Sequence, residues 1–243
     1  MFAALQTILQ SILVFMGRVI SIPFISVTVT GLEHIPRSES LILVSNHFSW
    51  FDGPLLMIYL PVRIVFLLAV ETERVCFFRF LSRTFNLIPI WRGQVDRKAM
   101  RAAIAALKEG RTIGVFPEGG IDPTMAAARE RGERIEQIAG HTARHSANLI
   151  QAQSGIGLLA TQAQTRLLPV ALLGTEKILI NLRRLRRTQV RIRVGRPFGP
   201  LSIPDDTPRK QRRRHFDSLT QDTMRHIAAL LPPGNRGPYQ DVA

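Results

Sequence analysis

Near the start of the chain, apolar side chains recur three and four residues apart: Leu5, Ile8, Leu9, Ile12, Leu13, Met16, Val19 and Ile20. Thr7, Gln10, Ser11, Arg18 and Ser21 gather on the other side of the same helical wheel. The spacing predicts an amphipathic, membrane-associating helix within residues 1–25. A spanning helix needs ~20 predominantly apolar residues without a polar stripe. The stripe therefore favours a helix lying in a membrane interface, or packed on the domain, over one that spans. Periodicity alone serves an ordinary core helix nearly as well. No Lys or Arg precedes the apolar run and no small-residue cleavage site is evident, which argues against a cleaved signal peptide.

From Ser26 the period shortens. SVTVTG and LILVS read as strands, broken by the polar pair Asn46 and His47. PLLMIYL, VRIVFLLA and RTFNLIPIWR follow, then a helical pattern over residues 98–108. TIGVF enters the turn PEGG, RLLPVALLG repeats that form, and VRIRVG alternates as a half-buried strand does. Strand-like runs separated by helical stretches predict an α/β fold, a single domain with a mixed, partly parallel sheet flanked by helices. Residues 122–153 are rich in Ala, Arg, Glu and Gln and read as surface helices inserted between two strands. Thr207 and Pro208 suit an N-cap followed by proline at the first helical position. Phe216, Leu219, Thr223, Ile227 and Leu230 then mark one helix face ending at Pro232 and Pro233. The domain is expected to span residues 26–231, leaving 232–243 as a flexible tail.

Lysine and arginine number 32 against 18 acidic residues, a formal charge of +14. Such an excess attracts nucleic acid, anionic lipid headgroups or a phosphorylated co-substrate. RRLRR at 183–187 and RKQRRR at 209–214 concentrate it. A nucleic-acid module would interleave aromatics with such runs, and neither run contains one, so no nucleic-acid partner is expected. The lone Cys76 excludes an intrachain disulfide framework and, inside the apolar VCFFRF, reads as a buried, inert thiol. His141 and His145 are four apart, but no third ligand accompanies them and no metal is expected.

The chemistry centres on SNHFSWFD. On a continuous helix His47 and Asp52 would lie roughly 140° apart, too far round to pair. A strand ending at Asn46 and a helix capped by Asp52 would put a turn between them and let them meet. A carboxylate-held imidazole keeps one tautomer and takes a proton on its other nitrogen. Alone, the pair equally suits a loop histidine beside a helix-capping aspartate. Two more segments add to it. VFPEGG puts Glu118 and Gly119 at a strand end, where open α/β sheets bind ligands, and LIPIWR puts Arg92 just after another strand, where a guanidinium grips phosphate.

In this order the segments resemble the 1-acylglycerol-3-phosphate acyltransferases of the glycerophospholipid acyltransferase superfamily. Asn46, His47 and Asp52 match Asn-His-x4-Asp, and residues 86–92 match Gly-x-Ile-Pro-x-x-Arg with Asn86 in place of glycine. Phe116, Pro117, Glu118 and Gly119 match the start of Phe-Pro-Glu-Gly-Thr-Arg-Ser. Leu168, Pro169 and Val170 match the Pro-Val strand end, preceded by the Gly-rich SGIGLLA. The resemblance covers about residues 28–231. It implies direct transfer of an acyl group from acyl-CoA or acyl-carrier protein to a lysolipid hydroxyl, with no cofactor and no acyl-enzyme, at the cytoplasmic face of a membrane with anionic lipids. His47 would be the base and Asp52 its partner. Asn46, Glu118 and the Gly119 backbone would line the acceptor site, Arg92 would hold an acceptor phosphate, and Pro169 would shape the donor side. Ser49 resembles a nucleophile that the family does not use. Gly120 and Ile121 stand where the family has threonine and a phosphate-binding arginine. Either Arg129, Arg131, Arg134 or Arg144 substitutes, or the acceptor is not a simple phosphomonoester. The insertion after Asp122 is expected to cover the acceptor pocket.

Overall fold

The structure is a computed structural model that describes residues 2–70, 72, 76–91, 96–121, 143–144, 146–153, 155–204 and 206–242. Helix α1 (Phe2–Ser21) is followed by β1 (Ile25–Thr30), β2 (Ile42–Ser45), α2 (Asp52–Tyr59), β3 (Ile64–Ala69), α3 (Cys76–Phe85), β4 (Ile88–Ile90), α4 (Arg97–Lys108) and β5 (Thr112–Val115). Beyond the insertion come α5 (Gly155–Ala163), β6 (Leu167–Leu173), α6 (Ile178–Arg183), β7 (Thr188–Val194) and α7 (Arg209–Ala228).

The seven strands form one sheet in the order β1-β7-β6-β2-β5-β3-β4. Every neighbouring pair is parallel except β6 and β7. The α/β domain with a mixed, mostly parallel sheet is thus as expected. Its central strands read as continuous apolar runs because both faces are covered. Alternate residues go to opposite faces: Ile42 and Val44 face a core built with α4, α5 and α7, while Leu41 and Leu43 face one built with α2. β7 alternates instead, burying Val190, Ile192 and Val194 and exposing Gln189, Arg191 and Arg193.

Several local expectations shift. α7 is entered at Pro208, one residue later than the expected cap. It buries Thr220, Thr223, Met224, Ile227 and Ala228, while Phe216 and Leu219 stay half-buried. The backbone of α7 lies so near α5 that a Cβ at Gly157 would sit 2.3 Å from the Phe216 carbonyl oxygen. Only glycine permits that crossing. Cys76 is exposed rather than buried, because it opens α3 instead of lying within its inward face. The C-terminal segment, expected to be loose, folds back on residues 147–152: Tyr239 is buried, its hydroxyl accepts from Ala152 N–H at 3.3 Å, and Asn235 Nδ2 donates to Ala147 O at 2.7 Å.

α1 settles the choice that periodicity left open. Gln6 and Gln10 donate to Thr84 O at 3.0 and 2.8 Å, Gln6 also donates to Asn86 Oδ1 at 3.0 Å, and Ser21 Oγ lies 2.8 Å from Tyr59 Oη. Gln6, Gln10 and Ser21 of the polar side therefore face the protein, while Ser11 and Arg18 stay exposed. Leu5, Ile8, Ile12, Phe15, Val19 and Ile20 are exposed on the outside, and none of the window Ala4–Ser21 is buried, so this is not a core helix. The same window is long and apolar enough to cross a membrane by length and composition.

Candidate active site

β2 stops at Ser45 and α2 starts at Asp52. The six residues between them turn so that one carboxylate oxygen organises the loop. Asp52 Oδ2 accepts from His47 Nδ1 at 2.9 Å, Phe48 N–H at 2.7 Å and Ser49 N–H at 2.7 Å. Asp52 is fully buried at the first turn of α2, where the helix dipole favours negative charge. Among the described residues its Oδ1 has no hydrogen-bond partner. With Nδ1–H directed at a carboxylate, the His47 lone pair lies on Nε2. The imidazole stacks on Phe116, ring centroids 4.1 Å apart and planes 13° from parallel, and Phe116 in turn stacks on Phe66 at 5.2 Å. The ring is thus fixed at an edge and on a face, with 13 % of its side chain exposed.

Beneath this loop lies a second buried charge pair. Glu118 follows β5, and its Oε1 accepts from the backbone N–H of His47 at 2.9 Å. Its Oε2 accepts from Ile150 N–H at 3.3 Å and meets Arg144 Nη1 at 2.5 Å. Arg144 also donates to Ile121 O (2.8 Å), Asn148 O (2.6 Å) and Gly120 O (3.3 Å), and its guanidinium lies over Phe48, 5.1 Å from the ring centre. Its own backbone N–H donates to Phe48 O at 2.7 Å, and Ala143 bridges to Ser49. The returning end of the insertion is therefore stitched to the histidine loop. Burial pushes the Glu118 carboxyl up to about 7, against the lowering pull of Arg144 and of the His47 and Ile150 N–H groups.

These contacts place the expected site residues. Glu118 is 1 % exposed and supports the His47 backbone rather than lining a pocket. Asn46 is fully buried, and its amide both donates to Leu172 O at 2.9 Å and accepts from Leu172 N–H at 2.8 Å, so it ties β2 to β6. Pro169 lies inside the sheet opposite Val44, three residues below His47, with its carbonyl accepting from Gly195 N–H at 2.8 Å. Arg144 has its guanidinium committed to protein acceptors and is no substitute for a phosphate-binding arginine. Ile121 is buried. Gly119 is half-exposed just past Glu118 at φ 71°, a left-handed turn that glycine adopts without strain. Asn86 tolerates the glycine position of its block at φ 52° and supplies the acceptor for Gln6. Arg92, Arg129, Arg131, Arg134, His141 and His145 lie outside the described residues.

The parts played by two residues escaped the sequence reading. Phe116 was visible only as a motif letter, and nothing in one sequence says that its ring lies on the histidine. Arg144 is 26 positions from Glu118, and no spacing rule links them. A cavity of about 380 Å³, bordered by Gln6, Gln10, Met57, Arg63, Phe85 and Arg111, lies away from this chemistry. Arg63 and Arg111 precede β3 and β5, at the opposite end of the sheet from His47.

A family model described as Acyltransferase matches residues 26–173. A 1-acyl-sn-glycerol-3-phosphate acyltransferase of Borreliella burgdorferi is 34 % identical over 103 residues, covering 39 % of this chain and 39 % of that protein. The match thus spans about two-fifths of the length of this curated relative. The crystal structure of the 1-acyl-sn-glycerophosphate (LPA) acyltransferase PlsC from Thermotoga maritima has the same fold. It aligns with a TM-score of 0.62 at 21 % identity, covering 91 % of this chain and 80 % of that one.

Proposed function

The chain belongs to the acyltransferase family, and on that premise we propose that it moves a fatty acyl group from acyl-CoA or acyl-carrier protein to the hydroxyl of a lysophospholipid, foremost 1-acylglycerol-3-phosphate, in phospholipid biosynthesis. The observation that carries the reading is the 2.9 Å pair of His47 Nδ1 and Asp52 Oδ2, held by two further N–H bonds to the same oxygen. His47 Nε2 takes the proton of the acceptor hydroxyl as its oxygen attacks the thioester carbonyl. Asp52 stabilises the imidazolium. The tetrahedral intermediate collapses, the carbon–sulfur bond breaks, and the departing thiolate takes the proton back from the imidazolium. Glu118 holds the His47 backbone in place through this cycle, and Arg92 takes the acceptor's phosphate by the resemblance of its block.

Ile121 and the fully engaged Arg144 favour a second acceptor class, a lysophospholipid whose phosphate is already a diester and needs less positive charge. The outward apolar face of α1 supports work at a membrane interface, and the single cysteine suits the reducing, cytoplasmic side of it. The test is acyl transfer by the purified chain, with acyl-CoA and acyl-carrier protein as donors, to lysophosphatidate, lysophosphatidylglycerol and glycerol 3-phosphate. Transfer is expected to a lysolipid, lysophosphatidate first. No transfer to any lysolipid from either donor overturns the reading.

A further inference from the structure

We propose that the turn at residues 184–187 is a second membrane anchor, docking the His47 end of the sheet on an anionic lipid surface; this deepens, and rests on, the reading that α1 lies in a membrane interface. The observation is a leucine where neither conformation nor packing wants one. α6 ends with Arg186 N–H bonding back to Asn181 O at 2.8 Å and Leu185 N–H to Leu182 O at 3.1 Å. That is the paired-bond helix ending whose left-handed residue is usually glycine. Here it is Leu185, at φ 51° and 92 % exposed. A side chain carried in a costly conformation and left in water points to a contact outside the chain.

Its surroundings state the chemistry of that contact. Arg183, Arg184, Arg186 and Arg187 flank it, all exposed, and none makes an ion pair among the described residues. Ile180 and Leu182 add exposed apolar surface beside them. An aliphatic tip ringed by guanidiniums fits a bilayer of anionic lipids, with leucine entering the acyl region and arginines meeting phosphates. Nucleic acid would be met by aromatic stacking, and residues 178–188 contain no aromatic side chain.

Topology puts the tip beside α1 and on the side of the chemistry. β7 runs antiparallel to β6, so it begins at the end of the sheet where β2, β5 and β6 finish. That end carries His47 and Glu118. Thr188 pairs with Ile25, and its N–H donates to Phe24 O at 2.8 Å. Ile22 and Phe24 are exposed and continue the apolar face of α1 toward Leu185. A bilayer touching the C-terminal end of α1 and the tip therefore lies at the end of the sheet that carries His47.

The test is sedimentation of the full chain with phosphatidylglycerol vesicles and with phosphatidylcholine vesicles. Alongside it run urea unfolding and acyl transfer to detergent-dispersed acceptor. Leu185→Gly is expected to bind phosphatidylglycerol vesicles about tenfold more weakly while unfolding at the same or higher urea concentration, because glycine relieves the left-handed turn. Replacing Arg183, Arg184, Arg186 and Arg187 together by glutamine is expected to cost on the order of a hundredfold in binding to phosphatidylglycerol and to remove the preference over phosphatidylcholine. Both variants are expected to keep transfer to dispersed acceptor. Wild-type affinity in Leu185→Gly, or an intact anionic preference in the arginine variant, overturns the proposal. So does an arginine variant that loses RNA binding while vesicle binding is unchanged. Absence of acyl transfer in the wild type sinks the proposed function and leaves the vesicle result standing.

Discussion

In the loop after β2 a buried carboxylate gathers three N–H groups, whereas along α1 glutamines point at the protein and isoleucines and a phenylalanine point away from it. The first region is closed by the chain's own groups: Asp52 Oδ2, Glu118 and Arg144 are buried and paired, and the imidazole is pinned by Asp52 and Phe116. The second is complete only with something outside, because a row of large apolar side chains in water has no compensating contact. The contrast divides the work. Chemistry depends on interactions the chain makes with itself, and location depends on those it makes with its surroundings. Variants that separate the two test that division.

The largest effect is expected at His47. On the proposed mechanism His47→Ala removes the base, and it is expected to lower kcat for acyl transfer by roughly 10³-fold or more. Its association with vesicles is expected to match the wild type, since the ring lies in the internally completed region. Equal turnover by the variant overturns the mechanism. Loss of vesicle binding along with activity breaks the division itself.

Next comes the buried pair under the loop. Arg144→Gln leaves the Glu118 carboxylate without its cation, and removing one partner of a buried ion pair costs about 3–5 kcal/mol. Urea unfolding measures this. Glu118 also predicts a pH slope. Its carboxyl rises from the usual 4.5 to about 7 on folding, so the folded chain holds the proton more tightly than the unfolded chain. Its contribution to stability is therefore fullest below pH 4.5, declines as pH rises, and is lost above about 7. Glu118→Gln is expected to flatten the unfolding midpoint over that window. An unchanged slope assigns it to other groups.

Third is the outer face of α1. Phe15 is 67 % exposed, so Phe15→Asp is expected to weaken vesicle association tenfold or more, as burying such a side chain is worth about 1.5–3 kcal/mol. The urea midpoint is expected to stay within about 0.5 kcal/mol, and transfer to a dispersed acceptor to persist. A large fall in stability would mean that the outward face packs on protein in solution.

How much of this was legible in the sequence follows from the range over which each feature is determined. The strands around LILVS, TIGVF and RLLPVALLG were readable because sheet formation follows from local apolar runs. The His47–Asp52 turn was readable because five residues and a helix start suffice to define it. The inward roles of Asn46 and Glu118 were not, since a motif names a residue without saying whether its side chain meets substrate or the neighbouring strand. Arg144 was named only as a candidate phosphate ligand, as its partner Glu118 lies across an insertion. α1 and α7 show the same limit from the other side. Both are 20 residues long with a readable stripe, yet α7 turns its apolar face inward and α1 turns its apolar face out. Periodicity reports that a helix has two faces; which one meets the protein depends on what waits on each side.

That limit makes the inner face of α1 the finest test of the comparison, and the smallest in energy. Gln10 Nε2 donates to Thr84 O at 2.8 Å, and Gln6 Nε2 donates to the same oxygen at 3.0 Å. If α1 were held to the protein by apolar contact, Gln10→Leu would strengthen its docking by adding hydrophobic area. The hydrogen bonds predict the opposite. Thr84 O loses one of two donors, and the variant is expected to be less stable by about 1 kcal/mol, with α1 cleaved sooner by protease. Vesicle association is expected to rise or stay level, because leucine widens the apolar arc that a membrane sees. Tighter docking in Gln10→Leu would mean that the polar stripe is incidental and that α1 lies on the domain for the same reason as α7. Looser docking with undiminished membrane binding would mean that the helix is tied to the protein by its polar groups because its apolar ones are committed elsewhere.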